Sequence, residues 1–146
     1  MNKSKGFTII ELIVVIAIIA VLAAIVLVNV TQYINKGKDA AIEGNLAGIL
    51  TNAADYMTSH TDYTTICTYP SIAAAIAATD IASDTAGGTV CSVKADDSAF
   101  CVCSPLKANS SQVFCVDSTG LKRVTTTGTT CDSECPTTTG ACNMSL

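Results

Sequence analysis

The N-terminal apolar run constrains this chain most. Residues 7–28 form 22 consecutive positions with a single charged side chain, Glu11. As a helix rising about 1.5 Å per residue, the run extends roughly 33 Å, enough to cross the hydrocarbon core of a bilayer. Ahead of it lies the short polar stretch Met1–Gly6, which carries Lys3 and Lys5. Basic residues on that side favour a cytoplasmic N-terminus, so the rest of the chain is expected to be exported. A secretory signal also has a basic start and an apolar core, and Val21-Leu22-Ala23 loosely imitates its cleavage site. Such a core is shorter, about 7–15 residues, and needs no carboxylate. Within an apolar span Glu11 costs on the order of 2–3 kcal/mol or more, so by default it marks function.

Gly6-Phe7-Thr8-Ile9-Ile10-Glu11-Leu12 resembles the GFTLIEL signature of type IV prepilins and pseudopilins, which marks a class III prepilin. The resemblance is strong from Lys3 to about Met57 and looser beyond. It implies that a membrane prepilin peptidase cuts after Gly6 and methylates the new amine of Phe7. Residues 1–6 are then a leader and 7–28 the transmembrane and filament-core helix. Residues 29–60 are its amphipathic continuation and 61–146 a cysteine-rich head. The resemblance makes Glu11 the buried carboxylate that meets the Phe7 amine of an adjacent subunit. The partners it implies are the peptidase, identical or related subunits, an inner-membrane assembly platform and, before assembly, membrane lipid. No cofactor and no metal are expected. The family often has a proline near the position of Val28; here there is none, and Asn29, Thr31 and the glycines beyond are where the helix would soften instead.

Helical patterning runs from Phe7 to about Ser59, and no proline occurs before Pro70. Ile42, Leu46, Ile49, Ala53 and Met57 recur at spacings of three and four, giving one apolar face to pack on a head. Lys36, Asp39, Glu43 and Asp55 fall outside that stripe. Gly37, Ala41, Gly44 and Gly48 cluster about 150° away from it, at 100° per residue. Helical glycine costs up to about 1 kcal/mol relative to alanine. The line therefore reads either as a tolerant, flexible segment or as a smooth face that meets neighbouring subunits.

Beyond His60 the chain becomes rich in Thr, Ser, Gly and Cys. Pro70–Thr79 reads as a short helix with proline in its first turn. Thr89–Val93, Ala99–Ser104, Gln112–Asp117 and Leu121–Thr126 read as strands, separated by turn-rich segments such as Asp117-Ser118-Thr119-Gly120. Connections this short predict an antiparallel meander. The fold class is therefore α+β, a long helix packed on a small antiparallel sheet, which is also the pilin architecture. Phe114–Gly120 resembles a strand and turn of some pilin-like heads. Thr127–Leu146 has no clear period and reads as a cysteine-tied tail.

The eight cysteines are Cys67, Cys91, Cys101, Cys103, Cys115, Cys131, Cys135 and Cys142. In an exported chain they imply a disulfide framework, and eight permit about 105 pairings among which sequence does not choose. Cys101 and Cys103 alternate on one strand and point to one face, so each is expected to pair elsewhere. The expected pairs are Cys67 with Cys91 and, as C-terminal loops are tied in many pilins, Cys115 with Cys131. Cys131, Cys135 and Cys142 lack the usual two-residue zinc knuckle, and no Cys-x-x-Cys redox pair exists. No nucleophile elbow, phosphate loop or HExxH motif occurs. His60, the single histidine, reads as a helix-end or surface residue, and Asp96-Asp97 as a turn. Asn29-Val-Thr31, Asn109-Ser-Ser111 and Asn143-Met-Ser145 match a glycosylation pattern short enough to arise by chance, and Thr125–Thr130 has a composition suited to O-linked sugar.

No catalytic constellation emerges, so the expected role is structural: a major or minor subunit of a type IV pilus-like filament. A pseudopilin of a type II secretion or DNA-uptake apparatus is the alternative within the family, and a monomeric membrane-anchored binding protein the alternative outside it. Adhesion and motility are family-level possibilities. The net charge is −4. Loss of Lys3 and Lys5 leaves six basic against twelve acidic side chains, or −6, which disfavours nucleic acid as a partner of one subunit despite Lys107, Lys122 and Arg123. Intact-mass measurement of the mature protein is expected to show loss of residues 1–6 and a methylated Phe7 amine. A chain beginning after Ala23 would instead mark an ordinary signal. Gly6 replaced by a bulky residue is expected to leave uncut precursor in the membrane.

Overall fold

A computed structural model describes residues 6–85, 87–125 and 130–142. The leader lysines, Thr126 and the Asn143-Met-Ser145 motif lie outside the described residues. The chain divides into two compact units, residues 1–34 and residues 35–146.

A single helix, α1, covers Ile9–Tyr56, with no break at Asn29 or Thr31. Those two side chains turn back onto their own helix. Asn29 Nδ2 donates to the Ile25 carbonyl at 3.3 Å and Thr31 Oγ1 to the Leu27 carbonyl at 3.1 Å. Such back-bonding satisfies polar groups beside an apolar stretch without opening the backbone.

In the second unit, Ile42, Leu46, Ile49, Ala53 and Tyr56 of α1 are buried, and Met57 packs against their cluster. The expected stripe is thus the face that meets the head. The chain then turns through a short 3-10 segment, Ile66–Thr68, into α2, Pro70–Ser83. Proline as the first residue of α2 gives up an N–H that no intrahelical partner would have used. The helix runs past its expected end at Thr79 and stops where Asp84 takes a left-handed φ of 52°. Four strands follow, β1 Val90–Val93, β2 Phe100–Pro105, β3 Val113–Asp117 and β4 Lys122–Thr125. They form an antiparallel meander in chain order, as expected. A final turn, α3, spans Cys131–Glu134. The architecture is α+β.

Strand alternation gives this sheet two buried faces. Phe100, Val102, Phe114 and Val116 point to one and join Ile42, Leu46, Ile49, Tyr56, Ile66 and Ile72 in the main core. Cys101, Cys103, Val113 and Cys115 point to the other, where Cys131, Cys135 and Cys142 cover them. The disulfides are Cys67–Cys91, Cys101–Cys135, Cys103–Cys131 and Cys115–Cys142. The first is the expected pair. The expected Cys115–Cys131 pair is corrected by a match of spacings. Two residues along a strand advance roughly 6.6 Å, and four along a helix about 6 Å. Cys131 and Cys135 therefore reach Cys103 and Cys101 together, and Cys115 is left for Cys142. Native bridges in small exported domains contribute about 2–5 kcal/mol each.

Buried and exposed carboxylates fix the connections. Asp117, 1% exposed, accepts from Thr119 N at 2.9 Å and Thr119 Oγ1 at 2.5 Å, shaping the β3–β4 turn. Its other oxygen accepts from Cys142 N at 3.0 Å, tying the tail to that turn. Asp39 of α1 accepts from the backbone of Lys107 and, at 3.1 Å, from Ala108 N beyond β2. Asp84 pairs with Lys38 and, at 3.5 Å, with Lys107. The Lys38 hydrogen bond, followed by the two cations' charge, holds the Asp84 carboxyl below its usual range. A depressed carboxyl supplies stability above its unfolded pKa and loses it as pH falls through the folded one. Asp96 is lowered to about 2 in the same way by Lys94, 2.7 Å away, and by Ser98.

Gly140 has φ +57°, and a Cβ there would stand 2.8 Å from the Ala99 carbonyl oxygen. Gly140→Ala is therefore expected to lower head stability by about 1–3 kcal/mol. Asp117→Ala, which strands the buried Cys142 N–H, is expected to cost about 2–3 kcal/mol. Denaturant unfolding of the disulfide-intact chain in detergent measures both. A loss in either variant below a few tenths of a kcal/mol would mean that the tail is not held this way.

Candidate assembly interface

The first unit presents its apolar side chains outward. Ile9, Ile10, Leu12, Ile13, Ile16, Ile19, Leu22, Ile25 and Leu27 are all more than half exposed. An 18-residue window within α1 has a mean hydropathy of 3.3, long and apolar enough to cross a membrane. Contiguous apolar surface on this scale calls for lipid or other apolar helices around it.

Gly6, Phe7 and Thr8 precede the first helical residue. Thr8 N donates to Glu11 Oε2 at 2.8 Å and Thr8 Oγ1 to the same oxygen at 2.7 Å. Glu11 N returns a hydrogen bond to Thr8 Oγ1 at 3.3 Å. This is a reciprocal capping box, in which Thr and Glu three apart satisfy donors that the first helical turn leaves open. Within one chain, then, Glu11 is occupied by Thr8. Sequence reasoning passed over Thr8, although the Thr-x-x-Glu spacing was there to find it. Phe7 is 76% exposed beside the cap.

In the second unit, Gly37, Ala41 and Gly44 are exposed and Gly48 is partly covered. A Cβ added at Gly37, Gly44 or Gly48 would meet nothing within 4 Å. None of these three glycines is demanded by a close contact in the head, so the face is open among the described residues.

His60 is exposed at the end of α1, its ring stacked on Tyr56 at 3.9 Å. Its Nδ1 lies 3.0 Å from the Tyr56 carbonyl. A cleft of about 470 Å³ between α1 and the β3–β4 turn is lined by Leu50, Ala53, Ala54, Met57, Tyr63, Phe100, Ser118 and Gly120. That lining offers no carboxylate, imidazole or amine. The sulfurs of Cys101, Cys115 and Cys135 lie within 4.8 Å of one another, close enough to share a metal ion. All three are bonded in disulfides, so in this form they have no thiolate to offer one.

Residues 1–27 match the family model described as the prokaryotic N-terminal methylation motif. No curated protein and no solved structure matches the chain. The motif implies processing by a prepilin peptidase and assembly with related subunits, and pilin-type families are structural rather than enzymatic. With the long apolar helix it fits a membrane-anchored protein that assembles into an extracellular filament. The matched motif, the apolar helix and the four-stranded, disulfide-tied head support a type IV pilin-like prepilin.

Proposed function

We propose that this chain is a structural subunit, major or minor, of a type IV pilus-like extracellular filament. The observation that carries the reading is the methylation motif set on an apolar helix whose described side chains are exposed. Before assembly, lipid covers that surface, with the N-terminus cytoplasmic and the head exported. The peptidase cuts between Gly6 and Phe7. An assembly platform in the inner membrane then transfers the helix into a core of like helices.

The capping box suggests how Glu11 tolerates both settings. In the lone subunit Thr8 neutralises part of its desolvation cost. In the filament the Phe7 amine of an adjacent subunit takes over the charge, and a subunit in the wrong axial register buries two unpaired charges. The pair contributes register more than net stability, because desolvation opposes its attraction. The open line of Gly37, Ala41, Gly44 and Gly48 is where a neighbouring subunit approaches the amphipathic half of α1.

Cell-surface filaments seen by microscopy, and lost on deletion of the gene, are the direct test. Their absence from cells that make protein cut after Gly6 would favour a pseudopilin, and their absence with uncleaved or signal-peptidase-cleaved protein a lone anchored binder. Glu11→Val is expected to insert and be cleaved normally while filament yield falls at least tenfold. Unchanged yield would remove Glu11 from the interface. Gly44→Leu and Gly48→Leu are expected to leave the folded subunit as stable or up to about 1 kcal/mol more stable, since they replace helical glycines. Filament yield should nonetheless fall several-fold. Equal assembly of both variants would show a merely tolerant face.

A further inference from the structure

Two of the disulfides share one cluster of four sulfurs. Cys101 is bonded to Cys135, and Cys115 to Cys142. Across the two bonds, Cys101 Sγ lies 3.7 Å from Cys142 Sγ, and Cys115 Sγ lies 3.7 Å from Cys135 Sγ. Each strand cysteine thus touches both tail cysteines, one through a bond and one through van der Waals contact. Cys101 and Cys115 are themselves 3.3 Å apart at sulfur. They are not opposite in register, however, since Cys101 faces Asp117 and Cys115 faces Cys103. Diagonal neighbours on adjacent strands stand about 7–8 Å apart at Cα, beyond the roughly 7 Å that a disulfide spans. The strands would have to slide to close that gap, whereas the tail, outside the sheet, already holds Cys142 and Cys135 with their sulfurs 3.7 Å from those of Cys101 and Cys115.

We propose that Cys101, Cys115, Cys135 and Cys142 form a thiol–disulfide exchange centre through which a small thiol swaps the two bonds for Cys101–Cys142 and Cys115–Cys135. Exchange proceeds by attack of a thiolate on a disulfide sulfur. Entry is at Cys142, the most exposed of the four at 3%, whereas Cys101 and Cys115 are fully buried. An external thiolate bonds to Cys142 and expels Cys115 as a thiolate. Cys115 attacks Cys135, its 3.7 Å neighbour, forming Cys115–Cys135 and expelling Cys101. Cys101 attacks the mixed disulfide at Cys142, again 3.7 Å away, forming Cys101–Cys142 and returning the external thiolate. Three bonds break and three form, no electrons are gained or lost overall, and the thiol is regenerated. Both isomers tie the same tail to the same two strands, so the head keeps its second face covered in either. The exchange involves the head alone and is independent of filament assembly.

The test uses the full chain in detergent, incubated without oxygen at about pH 8, where part of a small thiol is thiolate, with and without reduced glutathione. After quenching with N-ethylmaleimide, electron-transfer fragmentation of the non-reduced peptides reads the connectivity. Without glutathione the bonds are Cys101–Cys135 and Cys115–Cys142. With it, Cys101–Cys142 and Cys115–Cys135 are expected to appear in equal amounts with no net gain of alkylated cysteine. Unchanged connectivity, or a Cys101–Cys115 bond, overturns the proposal. A second measurement uses the double variant Cys101→Ser, Cys142→Ser. It is expected to join Cys115 to Cys135 and show no free thiol, and two alkylated cysteines per chain would overturn the proposal independently.

Discussion

The head is organised around a small sheet that buries both of its faces. Four strands of four to six residues offer little surface on either face, and in this head both faces are buried. On one side, α1 and α2 supply aliphatic and aromatic cover, from Ile42 to Ile72. On the other, the described covering segment is a short turn and a tail. Such a segment has little apolar surface to contribute, so covalent sulfur replaces packing. Three of the four disulfides lie on that side, and Asp117 adds a buried hydrogen bond to the backbone of Cys142.

The same logic in reverse governs the N-terminal unit. There the apolar surface is large and, among the described residues, exposed. A surface of this kind is stable only in lipid or among similar helices, and the methylation motif fits a protein that uses both environments in turn. Glu11 is the one costly residue in that stretch, and Thr8 holds it at the helix start. A carboxylate with a local partner can wait in one setting and exchange that partner in another. On α1, Gly37, Gly44 and Gly48 have room for a Cβ, so these glycines cost helix stability without a close contact that requires them.

Much of this was legible in the residues. The apolar run, the helix stripe, the proline at the start of α2 and the four alternating strands are local patterns, and local patterns report directly on backbone geometry. The strands lie within a residue of their expected bounds over the described positions, because turns such as Asp117–Gly120 carry their own chemistry. The Thr8–Glu11 cap was equally local and equally readable. The helix through Asn29 and Thr31 was harder to read, since both residues are weak helix formers until their side chains bond back to the carbonyls four residues earlier.

The sequence by itself determined that the chain begins with a membrane-length apolar helix bearing one carboxylate, followed by an α+β, cysteine-rich head. These properties follow from composition and period, which need no knowledge of what lies across the sheet. Only the tertiary structure decided which cysteines meet. Cys-x-Cys on β2 and Cys-x3-Cys at α3 have matching rises along a strand and a helix, but the match matters only once α3 lies against β2. That placement is a long-range fact, because it depends on strand register and on where Asp117 anchors the tail, and no spacing along the chain encodes either.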